Sequence, residues 1–276
     1  MDEKQLRAIL CPNCKKLINS DEPSCPYCGM RAPGAKWKIA AGKLFKGDIV
    51  AYIIYANVFM YVISLLINPS GLGFSGNPLR FLSPSNQSLL LIGATGTIPI
   101  DRFGRLWTLV SANYLHGGLL HIFFNMMVLK QLAPLVLREY GASRMTIIYT
   151  LGGVGGYVVS YMFGVPFTIG ASAAVCALIG AILYYGKSRG GVYGQSVFRE
   201  MSRWVIMLAL FGFIVPGINN WAHGGGIVSG AAMAFILGYN EKARENIFHR
   251  IFSAGLIAAT VLVLAWGIIS GFRLNF

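Results

Sequence analysis

The chain has 276 residues, 55% of them hydrophobic and only 12% charged, with a mean hydropathy of +0.59. A soluble domain carries about 25% charged residues, so a soluble globular protein is excluded and most of the chain is expected in lipid. The net charge of +13 points in such a chain to cytoplasmic loops rich in Lys and Arg, and no nucleic-acid partner is expected.

The first segment, MDEKQLRAILCPNCKK, is polar and basic, with no apolar run to read as a signal peptide. It leads into two CxxC knuckles about ten residues apart, Cys11 with Cys14 and Cys25 with Cys28. Four thiolates at this spacing suit one tetrahedral Zn²⁺, and Pro12, Pro26 and Gly29 suit the tight turns. Two disulfides or unrelated cysteines are the alternative, but paired knuckles favour a structural zinc ribbon over residues 1–35. Metal would supply folding energy that so short a segment cannot draw from a core. Lys36, Lys38, Lys43 and Lys46, with Trp37 and Phe45 between them, make 36–48 a basic juxtamembrane linker on anionic lipid.

Seven apolar spans follow, at roughly 49–68, 116–137, 144–164, 171–187, 203–219, 221–239 and 249–271. The fourth is short. From Ser172 to Tyr185 it reaches about 21 Å as a helix, against a hydrocarbon core of about 30 Å. Such a helix starts below the membrane surface, with the preceding GVPFTIGA loop shielded by protein. Arg138 and Arg144, then Lys187, Arg189, Arg199 and Arg203, then Lys242, Arg244 and Arg250 mark the cytoplasmic connections. Fewer basic residues face them, with Arg80, Arg102 and Arg105 in the long first loop. The N-terminus is therefore expected in the cytoplasm and the C-terminus outside, with the ribbon in a reducing compartment.

In that topology spans two, four and six start at the outer face. His116, His121 and Asn125 open span two, Ser172 opens span four and His223 opens span six. Polar side chains inside a membrane tend to face the bundle interior and to mark function. Ser172, Cys176 and Gly180 form one stripe, and Ala222, Gly226 and Gly230 a second that His223 borders. Small residues repeating every four let two helices approach closely. If the stripes meet, the serine and the histidine lie across from each other, and His121 and Asn125 share a face directed at the same spot. Taken singly, a membrane serine commonly bonds its own backbone, and glycine stripes mean only tight packing. Four polar residues at one depth leave few such explanations.

GASA around Ser172, AHGGGIVSG around His223 and HGGLLHIFFN from His116 resemble the rhomboid intramembrane serine proteases, whose patterns are GxSx, AHxxGxxxG and HxxxxHxxxN. LREYG, with Glu139, also fits. The resemblance covers roughly 45–240. It implies an all-α polytopic membrane protein: a six-helix catalytic core over 49–240, an additional C-terminal helix in 241–276, and the zinc ribbon as an accessory. Two departures stand out. Trp107 is followed by Thr108 where the family often has Trp-Arg, with Arg105 two residues earlier. Cys176 stands one turn after the serine where many members have a Tyr, so His223 must be held by something else, and Cys176 itself reads as a small core residue.

The implied reaction is peptide hydrolysis by a Ser172–His223 dyad, since no carboxylate lies near the outer motifs. Imidazole serves as base and then acid near neutral pH. Gly170 lets backbone approach the scissile carbonyl. The Ser172 N–H at a helix start is one oxyanion donor, and the resemblance makes the side chains of His121 and Asn125 the others. His116 is expected to brace the first loop by hydrogen bonds, and Gly226 to support the helix contact. No cofactor is expected for catalysis. The implied partners are transmembrane segments of other proteins, locally unwound at the cut, the bilayer of a prokaryotic cell, and a cytoplasmic partner of the ribbon. Two rival functions are a catalytically inactive rhomboid relative that binds membrane clients, and a transporter or channel. The former lacks the serine or the histidine, and the latter needs polar residues along a whole path.

Overall fold

The structure, a computed structural model, describes residues 8–12, 16–27, 29–35, 48–69, 73–74 and 81–275. It divides into two compact units, Met1–Tyr52 and Ile53–Phe276.

In the first unit β1 (Ala8–Leu10) pairs antiparallel with β2 (Leu17–Asn19). Cys11, at the end of β1, donates its N–H to the Lys16 carbonyl at 2.9 Å, and Cys25 donates to Met30 at 2.9 Å. Cys11, Cys25 and Ile18 share one small buried cluster. Cys14 and Cys28, like the lysines from Lys36 to Lys46, lie outside the described residues. Among the described residues no group of three or more metal-ligating side chains converges.

The long helices are α1 (Ile49–Ile67), α4 (Leu119–Tyr140), α5 (Ala142–Met162), α6 (Ser172–Arg189), α7 (Gly191–Ile214), α8 (Asn220–Leu237) and α9 (Ile247–Asn275). Short α2 (Asn86–Ile92) and α3 (Thr108–Ser111) lie between α1 and α4. Asp48 caps α1, its carboxylate accepting from Val50 N–H at 3.0 Å. By length and hydropathy α1, α4 and the Ile247–Arg273 stretch of α9 suffice to cross a membrane. The other four expected spans are helices of 18 to 24 residues that fall short on apolar composition. Position explains this for α6: 12 of its 18 residues are buried against neighbouring helices, so it uses Ala and Gly where a lipid-facing helix uses Leu and Ile.

Three expected boundaries shift. The second span begins at Leu119, because the Gly117–Gly118 pair holds His116 in the preceding loop. The fifth begins at Gly191, twelve residues earlier than hydropathy suggested, and ends before Val215-Pro216-Gly217. A single residue, Gly190 with φ +66°, separates α6 from α7. Lys187, Arg189, Arg199 and Arg203 therefore stand on helices and not in a loop. Arg144, expected as a loop cation, is buried in the first turn of α5, where its Nη2 donates to the Ala243 carbonyl at 2.6 Å and its backbone N–H to Glu245 Oε1 at 2.9 Å.

Glycine sets the core spacing. A methyl at Gly226 or Gly230 of α8 would collide with the backbone carbonyl of Ala173 or Ala177 on α6, and one at Gly156 of α5 would lie 2.7 Å from the Ala222 carbonyl. Helix α8 thus meets both α6 and α5 backbone to backbone.

Candidate active site

Helices α4, α6 and α8 all begin at one end of the bundle, and their first turns carry His121, Ser172 and His223. The loop before Ser172 is fixed by the first loop. Thr95 and Thr168 exchange backbone bonds at 3.1 and 2.7 Å, Thr97 N–H reaches Val165 at 2.9 Å and Ile98 N–H reaches Pro166 at 3.1 Å. These pairings satisfy backbone that enters the bundle without helix. Gly170 then turns with φ +126°, a conformation glycine adopts without steric cost, and donates to the Ala112 carbonyl at 2.9 Å.

Absence of a side chain at Gly170 leaves a defined space. A methyl carbon there would lie 2.8 Å from His121 Nε2 and 3.5 Å from Ser172 Oγ. One point therefore stands 2.8 Å from a candidate oxyanion donor and 3.5 Å from a candidate nucleophile, with room for a reacting atom. The proton on His121 follows from its other nitrogen: Gly117 N–H donates to Nδ1 at 3.3 Å, so Nδ1 accepts and Nε2 carries the hydrogen toward that point. Asn125, one turn on and 8% exposed, donates from Nδ2 to the His121 carbonyl at 2.9 Å, leaving one amide hydrogen for other use.

The α6–α8 contact places the backbone on either side of His223 against the start of α6. Ala173 and Ala222 share one buried cluster, and a methyl at Gly226 would lie 3.1 Å from Cys176 Cβ. Ser172 precedes the first of these residues and His223 follows the second, and both side chains are half-buried. The α8 stripe abuts Ala173 and Ala177, one position on from the expected α6 stripe, with Cys176 buried beside Gly226. His223 Nδ1 is buried without a hydrogen-bond partner.

His116 departs from expectation. Its ring is fully buried and neither nitrogen has a hydrogen-bond partner, so it does not brace the first loop that way. It packs edge-on to the His121 ring at 5.0 Å between centroids. The first loop is held instead by Arg105 Nη1, which donates to the Leu90 carbonyl at 3.0 Å, and by Trp107, which fills the space beside Gly93 and lies under Gly267 of α9.

Two positioning residues escaped the sequence reading. Tyr157 of α5 donates its hydroxyl to the Gly170 carbonyl at 2.6 Å. Because the peptide is trans, that carbonyl turns into the core and the Ala171 N–H turns away from it. Asn219 caps α8, accepting from Ala222 N–H at 3.0 Å, and its Nδ2 donates to Ser160 Oγ at 2.6 Å and Thr168 Oγ1 at 3.0 Å. One side chain thus ties the helix of His223 to the serine loop. An Asn four residues before His223 was a readable cap signal; nothing in the sequence marks Tyr157 among 13 tyrosines.

Residues 104–240 match the Rhomboid domain family. The chain carries a rhomboid domain. It is 30% identical over 207 residues to RHOMBOID-like protein 4 of Arabidopsis thaliana, covering 68% of this chain and 52% of that protein. It is 31% identical over 177 residues to Rhomboid protease GluP of Bacillus subtilis (strain 168), covering 64% of this chain and 34% of that one. RHOMBOID-like protein 6, mitochondrial, of Arabidopsis thaliana is 31% identical over 169 residues, covering 59% and 55%. The chain spans about half the length of these two plant relatives and a third of GluP.

Proposed function

We propose that this rhomboid-domain protein is an intramembrane serine endopeptidase that cuts peptide bonds in or near transmembrane segments of other proteins. The observation that carries the reading is the space at Gly170, bounded by Ser172 Oγ and by the N–H of His121 Nε2. The similarity to a relative named a protease agrees with it.

In this reading Ser172 Oγ attacks the scissile carbonyl while His223 takes its proton. The carbonyl oxygen becomes an oxyanion that accepts from His121 Nε2–H, the Ser172 backbone N–H and the free amide hydrogen of Asn125. His223 then gives its proton to the leaving amine, and an acyl ester remains on Ser172. Water, deprotonated by His223, attacks that ester, and the serine recovers its hydrogen. All seven long helices cross the membrane, with the N-terminus cytoplasmic and the site opening at the outer leaflet. Cys11, Cys14, Cys25 and Cys28 hold a structural Zn²⁺ within 1–35, and the burial of Cys11 and Cys25 in one cluster suits that donor set. The ribbon recruits a cytoplasmic partner or places the enzyme in the cell.

The test is covalent labelling of the purified protein by a fluorophosphonate. Labelling of the wild type and its loss in Ser172→Ala are expected. An unlabelled wild type that still binds transmembrane clients would indicate the inactive relative instead.

A further inference from the structure

At the end of the bundle opposite Ser172, the hinge between α6 and α7 encloses a second polar feature. The two helices meet closely there: a methyl at Gly186 would lie 2.7 Å from Phe198 N, and one at Gly194 would lie 2.7 Å from the Gly186 carbonyl. Beside this contact lies a hollow of about 510 Å³ lined by Gly186, Lys187, Gln195, Phe198, Arg199 and Ser202, with Gly190 at its edge. Its polar side chains are two cations, an amide and a hydroxyl. No carboxylate lines it. The nearby acids are engaged elsewhere, Glu200 with Arg203 at 3.5 Å and Glu241 with Arg189 at 3.0 Å. Lys187 and Arg199 have no ion-pair partner among the described residues, and Lys187 Nζ rests 5.7 Å from the Phe198 ring centre.

The face of α7 below the hollow changes character within one turn. Arg199, Ser202, Ile206, Leu210 and Phe213 follow at helical spacing and share that face. Ile206, Leu210 and Phe213 are 59%, 53% and 82% exposed. A cationic hollow above an exposed apolar stripe matches one kind of molecule, with an anionic head and hydrocarbon tails.

We infer that this hollow binds the phosphate headgroup of an anionic phospholipid, whose acyl chains lie along Ile206, Leu210 and Phe213. Lys187 and Arg199 contact the phosphate oxygens, Gln195 and Ser202 supply hydrogen bonds, and Phe198 forms the floor. The inference rests on the chain spanning a membrane and not on its proteolytic activity, so it survives if Ser172 is catalytically silent.

Native mass spectrometry of the full chain in detergent tests it, with dioleoyl phosphatidylglycerol against dioleoyl phosphatidylcholine as probes. One phosphatidylglycerol is expected to bind in preference to the zwitterionic lipid. Lys187→Ala with Arg199→Ala is expected to weaken that binding by about tenfold or more, as two juxtamembrane cations would. Arg273→Ala, at the far end of α9, should leave it unchanged. Thermal melting in detergent checks the fold of the variant, and Lys187→Gln with Arg199→Gln provides a milder second pair with the same expected loss. Equal binding of the two lipids by the wild type, or a preference that persists in both double variants, would overturn the inference. Displacement of the lipid by inorganic phosphate at equal concentration would also overturn it, because the site would then recognise the free anion without the chains.

Discussion

A side chain at residue 170 would occupy the space between His121 Nε2 and Ser172 Oγ and would strain a backbone held at φ +126°. Gly170→Ala is therefore expected to abolish cleavage. Ser172→Ala and His223→Ala should each do the same, and because the two act as a unit the double variant should be no worse than either single one. Turnover measured in detergent on all three decides this; near wild-type turnover in either single variant would break the assignment. Asn125→Ala is expected to slow the chemical step by about 10²-fold, the range for one lost oxyanion donor, with little change in melting temperature. Tyr157→Phe keeps the buried ring and removes the hydroxyl's bonds to the Gly170 carbonyl at 2.6 Å and the Ala112 carbonyl at 3.4 Å. Its stability cost should be about 1 kcal/mol. If the hydroxyl positions the site, kcat falls while KM stays; equal kcat in the two proteins would reduce Tyr157 to packing.

At the scale of elements, the helices of the site were legible and their ends were not. The small residues of α6 and α8 do meet, but Gly226 and Gly230 abut the carbonyls of Ala173 and Ala177, one position on from the expected Ser172, Cys176 and Gly180 stripe. The extent of α7 is not legible in hydropathy because its first half is polar, and hydropathy reports lipid contact, not helix. The setting of His116 is hidden for a related reason: the sequence shows a histidine near a loop, but only packing reveals that it faces the His121 ring and no acceptor. The bond from Tyr157 to Gly170 joins residues from different elements, and no local pattern announces it. Asn219 links elements too, and its removal should be felt in two ways. Asn219→Ala is expected to cost about 1 kcal/mol of stability through the lost cap. It should also lower kcat, since the serine loop and the His223 helix lose their shared tie. Asn219→Asp retains the cap acceptor but not the donor to Ser160 and Thr168, so it should restore stability more than rate. Rate recovering together with stability would show the tie to be dispensable.

For the whole molecule, polar chemistry divides between the two ends of the bundle. One end carries Ser172, His121 and His223. The other carries Arg144, Glu245, Arg189 and Glu241, which fasten the α8–α9 connection to the ends of α5 and α6. Removal of residues 1–35 should release one zinc per chain by metal analysis and leave cleavage of a model substrate in detergent largely intact. A truncated protein that folds but no longer cuts would show that the ribbon controls the site across the membrane. Hydrolysis of transmembrane peptide bonds by Ser172 is tested by incubating a model transmembrane substrate with wild type and with Ser172→Ala and weighing the products by mass spectrometry. The wild type is expected to give two fragments, their masses summing to that of the substrate plus one water, and Ser172→Ala none. Intact substrate with both proteins, or the same fragments from both, would contradict it.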